Sequence, residues 1–313
     1  MLQHERCGRA RSDAHSKNRV IKTEIKQRLI PFCIGLSLAC SWSNAADKPQ
    51  AIGPPPAEQQ DYDLIKQRFR IHEDLLTWSS YTLCHCADQK EVKAVEKTLN
   101  LFWAFAETNG FTKLIEAGGV QTFKANVAAF LENKDPIVRG YGAILLATIG
   151  DTAYKANIAR LLADRSGPPP SRADSLLCNY DRGRAAVALG LMGAREYAPR
   201  LSNLLLSPYV KDRVGAALGL GYMGAKEFAP NIAKLLADHE NEVKTSAMEA
   251  LAELGAAEYA KEISARFKEI GTDIQKPASY ALARLNAKEH ADEIAALLHD
   301  RFAKGFASKA LAL

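Results

Sequence analysis

The chain lacks the short signatures that announce most enzymes. It has no Gly-x-Ser-x-Gly elbow, no phosphate loop ending in Lys-Ser/Thr, no His-Glu-x-x-His, and no Cys-x-x-Cys-His for haem attachment. No catalytic residue, cofactor or resident metal is therefore assigned. Long hydrophobic runs are also missing. The longest apolar stretch, Leu29 to Cys40, is too short to span a bilayer, so an integral membrane protein is not expected. Charge of one sign is scarce as well. Residues 1–45 hold eight Lys/Arg against three Asp/Glu, and the remainder holds 33 of each. A neutral body argues against a phosphate-binding surface, and no nucleic acid is expected as partner.

The basic start, the apolar stretch and the small residues Ser43-Asn44-Ala45 together read as a secretory signal peptide cleaved near Ala45. The protein is expected in the periplasm or outside the cell. A lipoprotein anchored at Cys40 is the weaker reading, because Ser37 stands where such signals carry Leu. Residues 46–60 contain Pro54-Pro55-Pro56 and no apolar period, as in a stiff linker. Residues 61–110 hold two amphipathic stripes, Leu64, Ile65, Phe69, Leu75, Leu76, Trp78 and then Val92, Val95, Leu99, Phe102, Phe105. They predict a helical cap.

From residue 111 to 313 one register recurs. Its anchors are Gly119, Gly150, Gly193, Gly224, Gly255 and Asn286, spaced 31, 43, 31, 31 and 31 residues, where 43 is 31 plus a 12-residue insert at 165–176. Four after each anchor stands a ring: Phe123, Tyr154, Tyr197, Phe228, Tyr259, His290. Eight after it stands Val127, Ile158, Leu201, Ile232, Ile263 or Ile294, and twelve after it Leu or Phe. Apolar residues one and four before the anchor predict a first helix, which the anchor stops by taking the left-handed conformation. The residues after it predict a second helix. Pro199 and Pro230 fit there only in the first turn. A fixed period of this length means a solenoid: a right-handed all-α stack of about six helix pairs. The chain stops inside a further first helix, Ala307 to Leu313. That half-unit is either a cap or an edge for self-association.

The stretches Arg184-Ala-Ala-Val-Ala-Leu-Gly-Leu-Met-Gly193 and Val243-Lys-Thr-Ser-Ala-Met-Glu-Ala-Leu-Ala-Glu-Leu-Gly255 resemble the HEAT-like repeats first described in phycobilin lyase subunits. The resemblance covers about Phe111 to Leu313. It implies the solenoid fold, and a class spanning lyase subunits, a di-iron hydroxylase and many adaptors. The hydroxylase, deoxyhypusine hydroxylase, holds iron with His-Glu pairs on first helices. Here His72-Glu73 lies in the cap and His239-Glu240 in a turn, while the matching helical slots read Thr245-Ser246 and Lys276-Pro277. A metal oxidase is not expected. Gly219-Leu-Gly-Tyr-Met-Gly224 spells a dinucleotide fingerprint, but no strand precedes it and neighbouring repeats put Ala or Gly in the same slots.

Two features escape the register. Cys84-His85-Cys86 and Cys178 are the cysteines left after signal cleavage; a structural disulfide from Cys84 or Cys86 to Cys178 leads, with metal binding or thiol redox chemistry as alternatives. The proline-rich insert is a binding loop or a tolerated surface loop. Seven, and also ten, residues after the anchors lies a polar ladder: Asn126, Asn157, Arg200 and Asn231, then Arg160, Asn203 and Lys234. It predicts a binding face for a protein or peptide partner, against the plainer reading of a solvated surface. The expectation is an exported binding or scaffold module. Its alternatives are a thiol or metal-handling protein using Cys84, His85 and Cys86, and a lyase-type enzyme or subunit implied by the resemblance.

Overall fold

From Gly150 on, each first helix of the solenoid is closed by hydrogen bonds at a left-handed residue. The computed structural model describes residues 56–72, 75–76, 87–106, 109–163, 180–268, 272–299 and 303–312. The signal peptide, most of the linker, the Cys84-His85-Cys86 cluster, Cys178 and the insert lie outside them.

The cap contributes α1 (Pro56–Ile71) and α2 (Gln89–Trp103). The repeats follow as helix pairs: α3 (Gly110–Glu116) with α4 (Gly119–Ala128), α5 (Pro136–Ile149) with α6 (Lys155–Leu161), and α7 (Tyr180–Leu191) with α8 (Ala198–Leu204). Next come α9 (Val210–Tyr222) with α10 (Ala229–Ala233), α11 (Asn241–Leu254) with α12 (Ala260–Ser264), and α13 (Thr272–Arg284) with α14 (Ala291–Ala296). The half-unit is α15 (Lys304–Leu311). First helices α5, α7, α9, α11 and α13 each pack on the next, and α13 packs on α15. The chain is an all-α solenoid.

The anchors fix this geometry. Gly150, Gly193, Gly224 and Gly255 have φ of 77°, 62°, 69° and 63°, and Asn286 adopts 54°. In every case the N–H one residue later bonds the carbonyl four residues before the anchor, as in Asp151 to Leu146 (3.1 Å) and Ala287 to Leu282 (3.0 Å). Asn286 fills a glycine slot because Asn tolerates the left-handed region. The first anchor departs from the rule: Gly118 and Gly119 both have positive φ, and α4 starts at Gly119 itself.

The second helices differ from the plain amphipathic helix that the period predicts. After each anchor from Gly150 on, a 3-10 turn comes first, as in Arg195–Tyr197 and Lys226–Phe228, and only five to seven α-helical residues follow. The rings four after the anchor close these turns. Phe123 is fully buried, whereas Tyr154, Tyr197, Phe228, Tyr259 and His290 are half-buried. The aliphatics eight after the anchor are all buried. Pro199 and Pro230 sit in first turns, where no helical N–H bond is lost.

The cap needs one correction. Leu64 is 49% exposed, so the buried face of α1 is Tyr62, Ile65 and Phe69. Phe69 and Phe102 join the two cap helices, and Phe102 and Phe105 reach Phe123 of α4. This aromatic cluster covers the apolar end of the first pair.

Candidate functional site

Two rows of polar residues run along the repeats, one buried among first helices and one exposed on second helices. The inner row has a periodic mark in the sequence: Arg139, Arg182, Arg213 and Lys244 all stand eleven before their anchors, Arg139 buried and the other three half-buried. Arg139 Nη1 donates to the carbonyls of Asn133 and Lys134 at 2.9 Å each, and Nη2 to Asp181 of the next repeat at 3.2 Å. Arg182 repeats the reach to Asp212 at 2.6 Å. Arg213 grips Asp238 through Nε and Nη2, both at 2.9 Å, and the Ser207 carbonyl through Nη1.

Asp212 is fully buried. Burial raises its pKa, and the Ser207 hydroxyl (2.7 Å), Arg182 and Arg213 offset that only in part. Oδ2 takes both Ser207 and Arg182, while Oδ1 has no hydrogen-bond partner. The cluster is closely packed, since a Cβ on Gly183 or Gly215 would fall 2.3 or 2.1 Å from the carbonyl of Lys211 or Gly183. Its ion pairs from Arg139 to Asp181 and from Arg182 to Asp212 tie successive repeats together.

The exposed row is the predicted ladder. Asn126 lies on α4, Asn157 and Arg160 on α6, Arg200 and Asn203 on α8, Asn231 on α10, and Lys234 in the turn after it. All are exposed except half-buried Asn157. Asn157 and Arg160 line an open cleft of about 450 Å³ with Leu131, Glu132, Asn133 and Arg139. Asn231 Nδ2 donates to Ser202 Oγ of the preceding repeat at 3.1 Å, and the same step recurs where Ser264 donates to Glu293 at 3.1 Å. These bonds, nine after one anchor to seven after the next, leave no periodic signal in the sequence, because serine recurs there only at Ser202 and Ser264. Arg200 lies 6.0 Å from the ring centre of Tyr197.

The dinucleotide fingerprint dissolves in this setting. Gly219 and Gly221 lie within α9, facing the backbones of Ala186 and Ala250, and Gly224 is the left-handed helix end. His239 stands in a turn, apart from the repeat helices. Among the described residues, no cluster of three metal-ligating side chains forms, and no helix is long and apolar enough to cross a membrane.

Stacked helix pairs, left-handed anchors and an inter-repeat Arg-Asp row make up an all-α repeat solenoid. Residues 181–207, spanning α7 and α8, match the family described as PBS lyase HEAT-like repeat. No curated protein matches the chain. Among solved structures, the chain is similar to the complex of CpcE and CpcF of phycocyanin lyase from Nostoc sp. PCC7120, at 24% identity and a TM-score of 0.47, covering 59% of this chain and 74% of that one. It is also similar to an engineered protein solved as a crystal structure, at 17% identity and a TM-score of 0.43, covering 82% and 73%.

Proposed function

We propose that the protein is an exported scaffold that binds a protein or peptide partner along its second helices. The observation that carries this reading is the ladder: amides and cations recur at fixed positions on successive helices, on the side away from the buried aliphatics. A solenoid holds such groups at fixed spacing before any partner arrives, which lowers the ordering cost of binding. The N-terminal signal pattern is what supports export, to the periplasm or outside the cell. No bond-making step is assigned.

The test is affinity capture of the mature chain from its own cell envelope, beside a variant carrying Asn157→Ala, Arg200→Ala and Asn231→Ala. A specific protein held by the first and lost by the second supports the reading. Equal recovery by both, or none by either under gentle crosslinking, overturns it.

A further inference from the structure

Three consecutive second helices share a feature that the others lack. The α6 helix carries Asn157 and Arg160, α8 carries Arg200 and Asn203, and α10 with its following turn carries Asn231 and Lys234. Each offers one amide and one cation three residues apart, hence on one helix face. The corresponding positions are Asn126 and Ala129 before them, then Glu262 with Ala265 and Glu293 with Ala296 after them. The amide and cation pairing thus occupies three neighbouring repeats and gives way to glutamate.

The cations are not consumed within the fold. Lys234 has no hydrogen-bond or ion-pair partner among the described residues, and Arg200 meets only the Tyr197 ring. Arg160 sits 3.9 Å from Glu132 with both side chains at least 70% exposed, a pair of negligible strength. Asn231 spends one N–H on Ser202 and keeps its carbonyl and second N–H. Of the two glutamates that follow, Glu293 already accepts from Ser264 and meets His290 Nδ1 at 2.6 Å. Glu196 and Glu227 border the row one turn earlier, and Arg195 holds Glu227 through two contacts of 2.9 and 3.1 Å. A partner carboxylate is therefore directed to the Arg160, Arg200 and Lys234 side.

We propose that α6, α8 and α10 bind an extended segment of a partner protein bearing acidic side chains at every third residue. Successive first helices pack on one another, so the repeats that carry these second helices advance roughly 8–10 Å per step; an extended chain advances about 3.3 Å per residue, and one repeat matches about three residues. Arg160 and Arg200 can each take a carboxylate through two parallel bonds, and Lys234 can take one as a point charge. The asparagines, which both donate and accept, suit the peptide groups between. This proposal rests on the second-helix reading and specifies its partner.

The probe is a fluorescein-labelled 12-residue peptide of Gly and Ser with Glu at every third position, titrated into the purified chain by anisotropy. Its isomer carries the same glutamates in one block. The spaced peptide is expected to bind at least about 5-fold tighter, with affinity falling as salt rises. Arg160→Ala, Arg200→Ala and Lys234→Ala should each weaken it by roughly 2- to 5-fold, and Glu262→Ala should not. Far-UV circular dichroism confirms that these surface variants remain folded. Equal binding of both isomers, or no effect of the three variants, overturns the proposal. Equal binding of an oligothymidylate of matched charge overturns it in favour of a general polyanion surface. A dimer in sedimentation that these substitutions dissociate overturns it in favour of a second copy. If captured protein still depends on the ladder while the isomers bind equally, the spacing rule fails and the second-helix reading survives.

Discussion

Replacing Gly219 by alanine tests the packing logic of the solenoid, because helix propensity and close approach predict opposite signs. Gly219 lies inside α9, where alanine is favoured over glycine by about 1 kcal/mol. Yet a Cβ at this position would fall 2.4 Å from the carbonyl oxygen of Ala186, 2.8 Å from its carbon, and 2.8 Å from Leu201 Cδ2. The nearest atoms belong to the backbone of α7, which cannot swing aside as a side chain can. The helices must separate, and overpacking of this kind costs about 1–3 kcal/mol, here at the upper end. The net expectation is a loss of about 2 kcal/mol, or roughly 4–8 °C in Tm for a repeat array of this size. Thermal unfolding followed by circular dichroism at 222 nm reads it. A Tm equal to or above wild type would refute the reasoning, since propensity alone would then account for the position.

Other substitutions probe other parts of the account. Arg182→Ala leaves buried Asp212 with only the Ser207 hydroxyl and the Arg213 charge to offset its burial, and should cost about 3 kcal/mol in urea unfolding. Asp238 supplies a pH test. Burial alone would raise its pKa, but hydrogen bonds from Arg213 and the Glu240 N–H, with the Arg213 charge, hold it below the usual 3.8. Its stabilisation is present above that value and lost as pH falls through the lower folded pKa. Asp238→Asn should therefore flatten the acid limb of a stability against pH profile below about pH 3.8, and an unchanged limb would contradict the assignment. Asn286→Gly relieves a non-glycine residue at φ 54° and should raise Tm, by up to about 1 kcal/mol of stability.

Much of the fold was legible because the constraint lies in single residues. Left-handed anchors demand Gly or Asn, and the same register exposed the mid-chain dinucleotide pattern as helix packing. The 3-10 turns were not legible, since a 3-10 turn and an α-helical turn place the apolar residues of so short a segment almost alike. Leu64 is a related case: α1 buries only the arc of Tyr62, Ile65 and Phe69, and Leu64, about 100° around the helix from Ile65, falls outside it. The arginines eleven before the anchors stood in the sequence, but their partners lie in other segments of the stack and became evident only once it was built. The ladder was legible as a pattern. Its division into three cationic repeats and two acidic ones followed from comparing each helix with its neighbours.

The central claim is that a partner docks on the second-helix face. A photo-crosslinking amino acid placed at Asn203 of α8, with a control at exposed Lys276 of α13, tests it most directly in the native cell. The account predicts a discrete, saturable protein adduct from position 203, absent from position 276 and diminished by Arg200→Ala. An adduct from 276 alone, or none from 203, would contradict it.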